Sequence, residues 1–138
     1  MERATAIGFV RELHRAQGAF YSGGSADRLR ELLAPDVEWH VPGASPIAGD
    51  HVGVDAVLDY MARRRDQSQA SFRMHTRDVL AGDGDDFAAL TDGTATIAGR
   101  ARSWSTVGLY RLRADRLAAC WLLPLDPLEF DAIWSAGP

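Results

Sequence analysis

The chain predicts an α+β domain in which helices cover one face of a curved antiparallel sheet, and three observations carry that reading. Helical periodicity dominates the first half of the chain, strand-like runs follow one another from Ser71 onward, and short Gly/Asp-containing turns separate those runs.

Phe9, Leu13, Ala16 and Phe20, flanked by Val10, Gln17 and Tyr21, recur every three to four residues, so a first amphipathic helix is expected to end near Gly23-Gly24. Ser25 is placed to cap a short second helix, ADRLRELLA. That helix stops before Pro35, because a proline disfavours helical geometry in the residue preceding it. DVEWHVP then reads as a strand and the Gly/Pro-rich stretch after it as a loop. Asp55 to Arg65 reads as a third helix, with Ala56, Val57, Leu58, Tyr60 and Met61 on its apolar side and Arg63, Arg64, Arg65 and Asp66 on its exposed face. SFRMHTRDVLA, FAALTDGTATIA, RARSWSTVGLYRLR and RLAACWLLPL, divided by GDGDD, AGR and RAD, form a meander. LDPLEFDAIWSAGP predicts one short helical turn. Its Leu128, Phe130, Ile133 and Trp134 are suited to closing an apolar opening or packing on a second copy, so a homodimer is expected.

With 138 residues the chain fits one domain, 1–138, able to bury roughly two-thirds of its unfolded surface. No repeat, low-complexity tract or linker divides it. Net charge is −4, and the 15 basic residues, all arginines, are dispersed among acidic neighbours, which argues against a nucleic-acid partner. The N-terminus lacks the charged-then-apolar layout of a signal peptide, and no run nears the roughly eighteen apolar residues of a membrane span. A cytoplasmic location away from membranes is expected. The single cysteine, Cys120 in AACWLL, excludes an internal disulfide and reads as a buried, inert thiol. Four scattered histidines without HxH, HExxH or CxxC spacing predict no metal, and the absence of a GxGxxG or Walker-type loop predicts no nucleotide cofactor. Ser45 has no GxSxG setting, so covalent catalysis is not indicated.

The order of these elements, together with APDVEWHVPGASPIAGDHVGVDAVLDY, the DVLA beginning at Asp78 and the closing CWLLPLDPLEFDAIW, resembles one known group across nearly the whole chain. This is the SnoaL-like polyketide cyclase and ketosteroid-isomerase-like branch of the nuclear-transport-factor-2-like superfamily. The resemblance implies a cone-shaped sheet with three N-terminal helices on its concave face. Between them would lie a mostly apolar pocket for one hydrophobic molecule. It does not imply one reaction, since isomerases, aldol cyclases, epoxide hydrolases, dehydratases and proteins without chemistry share the fold.

Isomerase relatives use a tyrosine and a protonated carboxylic acid as an oxyanion hole; matching the motifs puts Ala16 and Gly108 at those positions, so that hole is expected to be missing. Epoxide-hydrolysing relatives use an Asp-Arg-Asp cluster, and here Arg100 and Arg102 share a strand while Leu123 or a neighbour stands where an acid is wanted, so epoxide opening is the weaker reading. For the base, one register selects His40 and another Val41. Strand alternation separates Glu38 and His40 from Val37, Trp39 and Val41, so only one set lines the pocket. His40 is the candidate general base, against the alternative of a rim histidine. Asp126 is the candidate helper, able to orient a histidine or act as an acid, against ordinary N-cap duty before Pro127. The expected lining comprises Phe20, Tyr21, Trp39, Tyr60, Met74, Trp104 and Trp121, with His75 as a possible polar anchor beside Arg77. The expected function is a cofactor-free acid-base enzyme of cyclase, isomerase or hydratase/hydrolase type acting on a hydrophobic polyketide-like substrate in secondary metabolism. The alternative is a noncatalytic protein that binds such a molecule.

Overall fold

α1 (Arg3–Tyr21) packs its stripe of Ala6, Val10, Leu13, Gln17 and Tyr21 against the sheet; it is the first element of a computed structural model that describes residues 1–136. α2 (Asp27–Leu32) is shorter than the sequence suggests by one residue at its start and two at its end. Ala26, not the expected Ser25, holds the N-cap position, and Ser25 Oγ one residue earlier accepts from Asp27 N–H at 3.0 Å in a local turn. The chain then enters β1 (Leu33–Val41) directly, so Pro35 lies inside a strand rather than in a linker. β2 (Gly49–Val52) and α3 (Val54–Gln67) follow. The remaining strands are β3 (Arg73–Ala81), β4 (Asp86–Ile97), β5 (Arg100–Arg113) and β6 (Arg116–Pro124), ahead of the terminal α4 (Pro127–Ser135).

The six strands form one curved, open sheet in the order β2-β1-β6-β5-β4-β3. Neighbours pair antiparallel except β1 and β6, which run parallel, with a register shift between Leu33 and Glu38. The β4–β5 turn at Ala98-Gly99 and the β5–β6 turn at Ala114-Asp115 each place both central residues at positive φ, the geometry whose twist suits a two-residue hairpin. A bulge between Thr76 and Asp78 bends β3 where it passes α1.

Helices cover one face of the sheet: α1 lies against β3, α3 against β1, and α4 against β5 and β6. The expected terminal turn is a nine-residue helix whose Phe130, Ile133 and Trp134 are buried; the last two residues of the segment lie outside the described residues. Asp131 of α4 ties down the Gly/Pro loop, accepting from Ala44 N–H and Ser45 N–H at 2.8 Å each. Gly43, at φ +104°, supplies the left-handed backbone that turns those amides toward the carboxylate. Among the described residues, no helix is long and apolar enough to cross a membrane.

Candidate functional site

Side chains that point inward from both layers enclose a cavity at the centre of the cone. His14 and Gln17 come from α1, Arg64 from α3, Trp39 from β1, Met74 from β3, Thr91 and Gly93 from β4, Trp104, Thr106 and Tyr110 from β5, and Leu122 from β6, with Phe72 just before β3. Its free volume is about 30 Å³, room for about one water molecule. Outside His14 a groove of about 380 Å³ continues between α1 and β3, lined by Ile7, Val10, Arg11 and Thr76 among others. A broader depression of about 500 Å³ at the rim near Asp78 and Asp86 is less suited to recognition. Its acids are already paired, Asp78 with Arg3 at 3.2 Å and Asp86 with the neighbouring Arg111 at 3.0 Å.

Two glycines shape the cavity. A Cβ on Gly93 would sit 2.5 Å from the Trp104 indole, and one on Gly108 would sit 2.6 Å from the Tyr110 hydroxyl. Trp104 therefore lies flat over its cross-strand partner, and Tyr110 leans along its own strand over residue 108.

At the groove end, His14 Nδ1 is 2.6 Å from Thr76 Oγ1 and His14 Nε2 is 3.4 Å from the Tyr110 hydroxyl. Burial pushes the imidazole pKa down from 6.5 to about 4, because the charged form loses its hydration. The same desolvation raises the Tyr110 phenol well above its ordinary value. At neutral pH the pair is an uncharged imidazole beside an uncharged phenol.

At the other end stands Arg64, 4% exposed. Its Nη1 donates to the Tyr60 hydroxyl at 3.0 Å, while its Nε–H has no partner. The guanidinium carbon lies 4.5 Å from the ring centroids of both Phe72 and Trp134, with Tyr60, Tyr21 and Phe130 next nearest at 5.7–5.9 Å. No carboxylate pairs with it among the described residues. Aromatic faces attract a cation, but a buried charge without a counter-ion costs on the order of several kcal/mol. Gln17 Oε1 and Trp39 Nε1 are also buried without hydrogen-bond partners.

Of the residues singled out in the sequence, Trp39, Met74 and Trp104 line the cavity. Tyr21, Tyr60 and Phe20 are buried behind its wall, the first two against Arg64. Strand alternation puts His40 on the outer face, opposite buried Val37, Trp39 and Val41. There its Nδ1 meets Asp50 Oδ1 at 2.7 Å and its ring stacks on Trp121 at 5.4 Å. Trp121 is consequently an outer-face residue with Arg111 over its ring, not cavity lining. His75 is exposed on the outer face opposite Asp92. Asp126 is exposed, and its carboxylate caps α4 by accepting from Glu129 N–H at 3.1 Å. It makes no contact with a histidine.

Sequence reasoning missed His14, Gln17, Arg64 and Tyr110. A usable signal existed for the helical ones. Arg64 follows Val57, Tyr60 and Met61 at intervals of seven, four and three, and His14 and Gln17 follow Val10 and Leu13 at four. These are polar residues in register with an apolar stripe, and Arg64 is buried, not part of an exposed face.

The geometry is that of a cone-shaped α+β fold, and the chain belongs to the SnoaL-like domain family, whose model matches residues 10–120. Among curated sequences, Uncharacterized protein Rv0034 of Mycobacterium tuberculosis (strain ATCC 25618 / H37Rv) is 30% identical over 105 residues, 76% of this chain and 66% of that protein. The chain thus spans just under two-thirds of that relative's length. Bal32a, from a soil-derived mobile gene cassette, superposes with a TM-score of 0.83 at 26% identity, covering 94% of this chain and 98% of that one. A putative SnoaL-like polyketide cyclase from Jannaschia sp. CCS1 superposes with a TM-score of 0.78 at 16% identity, covering 99% and 95%, a likeness of fold.

Proposed function

We propose that the protein is a cofactor-free acid-base enzyme of the cyclase or isomerase type, acting on one hydrophobic, polyketide-like carbonyl compound held in the cone. The observation that carries this reading is the convergence of His14 and Tyr110 on a cavity whose wall also includes Trp39, Phe72, Met74, Trp104 and Leu122. In the tautomer whose Nδ1–H donates to Thr76 Oγ1, His14 Nε2 keeps its lone pair toward the Tyr110 hydroxyl and the cavity. A substrate carbonyl oxygen that replaces Nε2 as the acceptor of the Tyr110 hydrogen bond leaves Nε2 free to take a proton from the adjacent carbon. The C–H electron pair moves to the carbonyl oxygen, and Tyr110 O–H stabilises the charge that develops there. Return of the proton at a second carbon isomerises the substrate, and attack of the enolate on another carbonyl closes a ring.

The free volume admits about one water, so substrate entry requires the wall to move, and Trp104, seated over Gly93, is the group proposed to do so. His40 and Asp126 stand apart from the cavity and take no part in this reading. The homodimer and the cytoplasmic setting remain part of the proposal. For the former, Leu123, Leu125 and Leu128 offer apolar surface, 48%, 58% and 86% exposed.

A second reading, binding without turnover, is favoured by the low His14 pKa of about 4, which makes a weak base. The two separate in one experiment. Deuterium exchange at the acidic CH₂ of 2-tetralone, followed by proton NMR, is accelerated above buffer by an enzyme of this kind. Saturable binding of the ketone without accelerated exchange overturns catalysis and leaves a binder.

A further inference from the structure

We infer that the cavity is built for an anionic ligand: a hydrophobic compound whose planar oxyanion, a carboxylate or an acidic enolate, is received by Arg64 at the end of the cavity opposite His14. The inference rests on the reading that this cavity takes up a small molecule, and it names that molecule's charge.

The argument is an account of charge and hydrogen bonds. Arg64 is a permanent cation, 4% exposed, and its side chain lines the cavity. Among the described residues its one close hydrogen bond is to the neutral Tyr60 hydroxyl, with the neutral Tyr21 hydroxyl also facing the guanidinium, and Nε–H is left unbonded. Trp39 Nε1–H, on the wall of the same cavity, is a second buried donor: it faces the Tyr60 hydroxyl but makes no well-formed hydrogen bond among the described residues. The acids nearby cannot supply the missing charge: burial raises Tyr21, Tyr60 and Cys120 above their ordinary values, so all three stay protonated at neutral pH. Five aromatic rings pack around the guanidinium, which is 4% exposed and borders the cavity. An oxyanion there satisfies donors that the protein itself leaves open, in a setting where a charge-assisted hydrogen bond is strong.

Surface arginines on the same helix differ. Arg65 lies over Phe20 and pairs with Asp66 at 3.0 Å, so its charge is already met.

The test compares 2-naphthoate with 2-naphthamide, matched in shape and differing in charge, by calorimetry at pH 7.5. The wild-type chain is expected to bind naphthoate at least tenfold more tightly. Arg64→Gln abolishes that preference, Arg64→Lys retains part of it, and Arg65→Gln leaves it intact. Equal affinity for the two probes in the wild type, or a preference that survives in Arg64→Gln, overturns the inference while the cavity remains a binding site. Binding of neither probe overturns the underlying reading as well. Should Arg64→Gln fail to fold, the wild-type pair and Arg64→Lys still decide.

Discussion

The Tyr110 hydroxyl occupies space that exists only because residue 108 is glycine: a Cβ on Gly108 would lie 2.6 Å from that oxygen. From there it reaches to 3.4 Å from His14 Nε2. Gly108→Ala should therefore push the phenol away from His14 and reproduce the functional loss of Tyr110→Phe, with a cost of about 1–3 kcal/mol from overpacking. Urea unfolding and 2-tetralone exchange measured on both variants check this. Full exchange activity in Gly108→Ala would show that the hydroxyl's position is immaterial.

Acid should weaken the fold through His14. Its pKa is about 4 in the folded protein and near 6.5 unfolded, so between those values the unfolded chain binds more protons and stability falls as pH falls. The full difference is worth roughly 3 kcal/mol. Unfolding free energies at pH 7 and pH 4.5 should converge for wild type and His14→Gln as the wild type loses this increment. Parallel losses in the two proteins would mean that burial does not hold the imidazole neutral.

Trp104 should respond to the residue beneath it. A methyl at position 93 would come within 2.5 Å of the indole, and no rotation of the methyl relieves that contact. Gly93→Ala is expected to displace Trp104 toward solvent, with red-shifted tryptophan emission and faster uptake of 2-tetralone. An unchanged spectrum would remove Trp104 as the group that closes the cavity.

Much of the architecture is legible in the sequence because local pattern carries it. Helical spacing marks α1 and α3, and alternation in VEWHV places Trp39 with Val37 and Val41 on the inner face. β2 has no such signature: its four residues are mostly exposed and are held by pairing with β1. The parallel β1–β6 pairing joins residues about eighty positions apart, which no local pattern encodes. The site divides similarly. Trp39, Met74 and Trp104 follow from strand alternation and apolar character. His40 was attractive by family position, yet the same alternation that buries Trp39 turns it outward to Asp50. Arg64 was hidden by its neighbours in a triple-arginine run, although its helical register with Val57, Tyr60 and Met61 marks it as inward-facing.

The most direct test of the account is to place the chemistry at His14 or at His40. Deuterium exchange into 2-tetralone should fall by about 100-fold or more in His14→Gln, the usual scale for loss of a general base, and stay near wild type in His40→Gln. Exchange that survives in His14→Gln and is lost in His40→Gln would contradict the assignment of function to the cavity and move it to the outer face of the sheet.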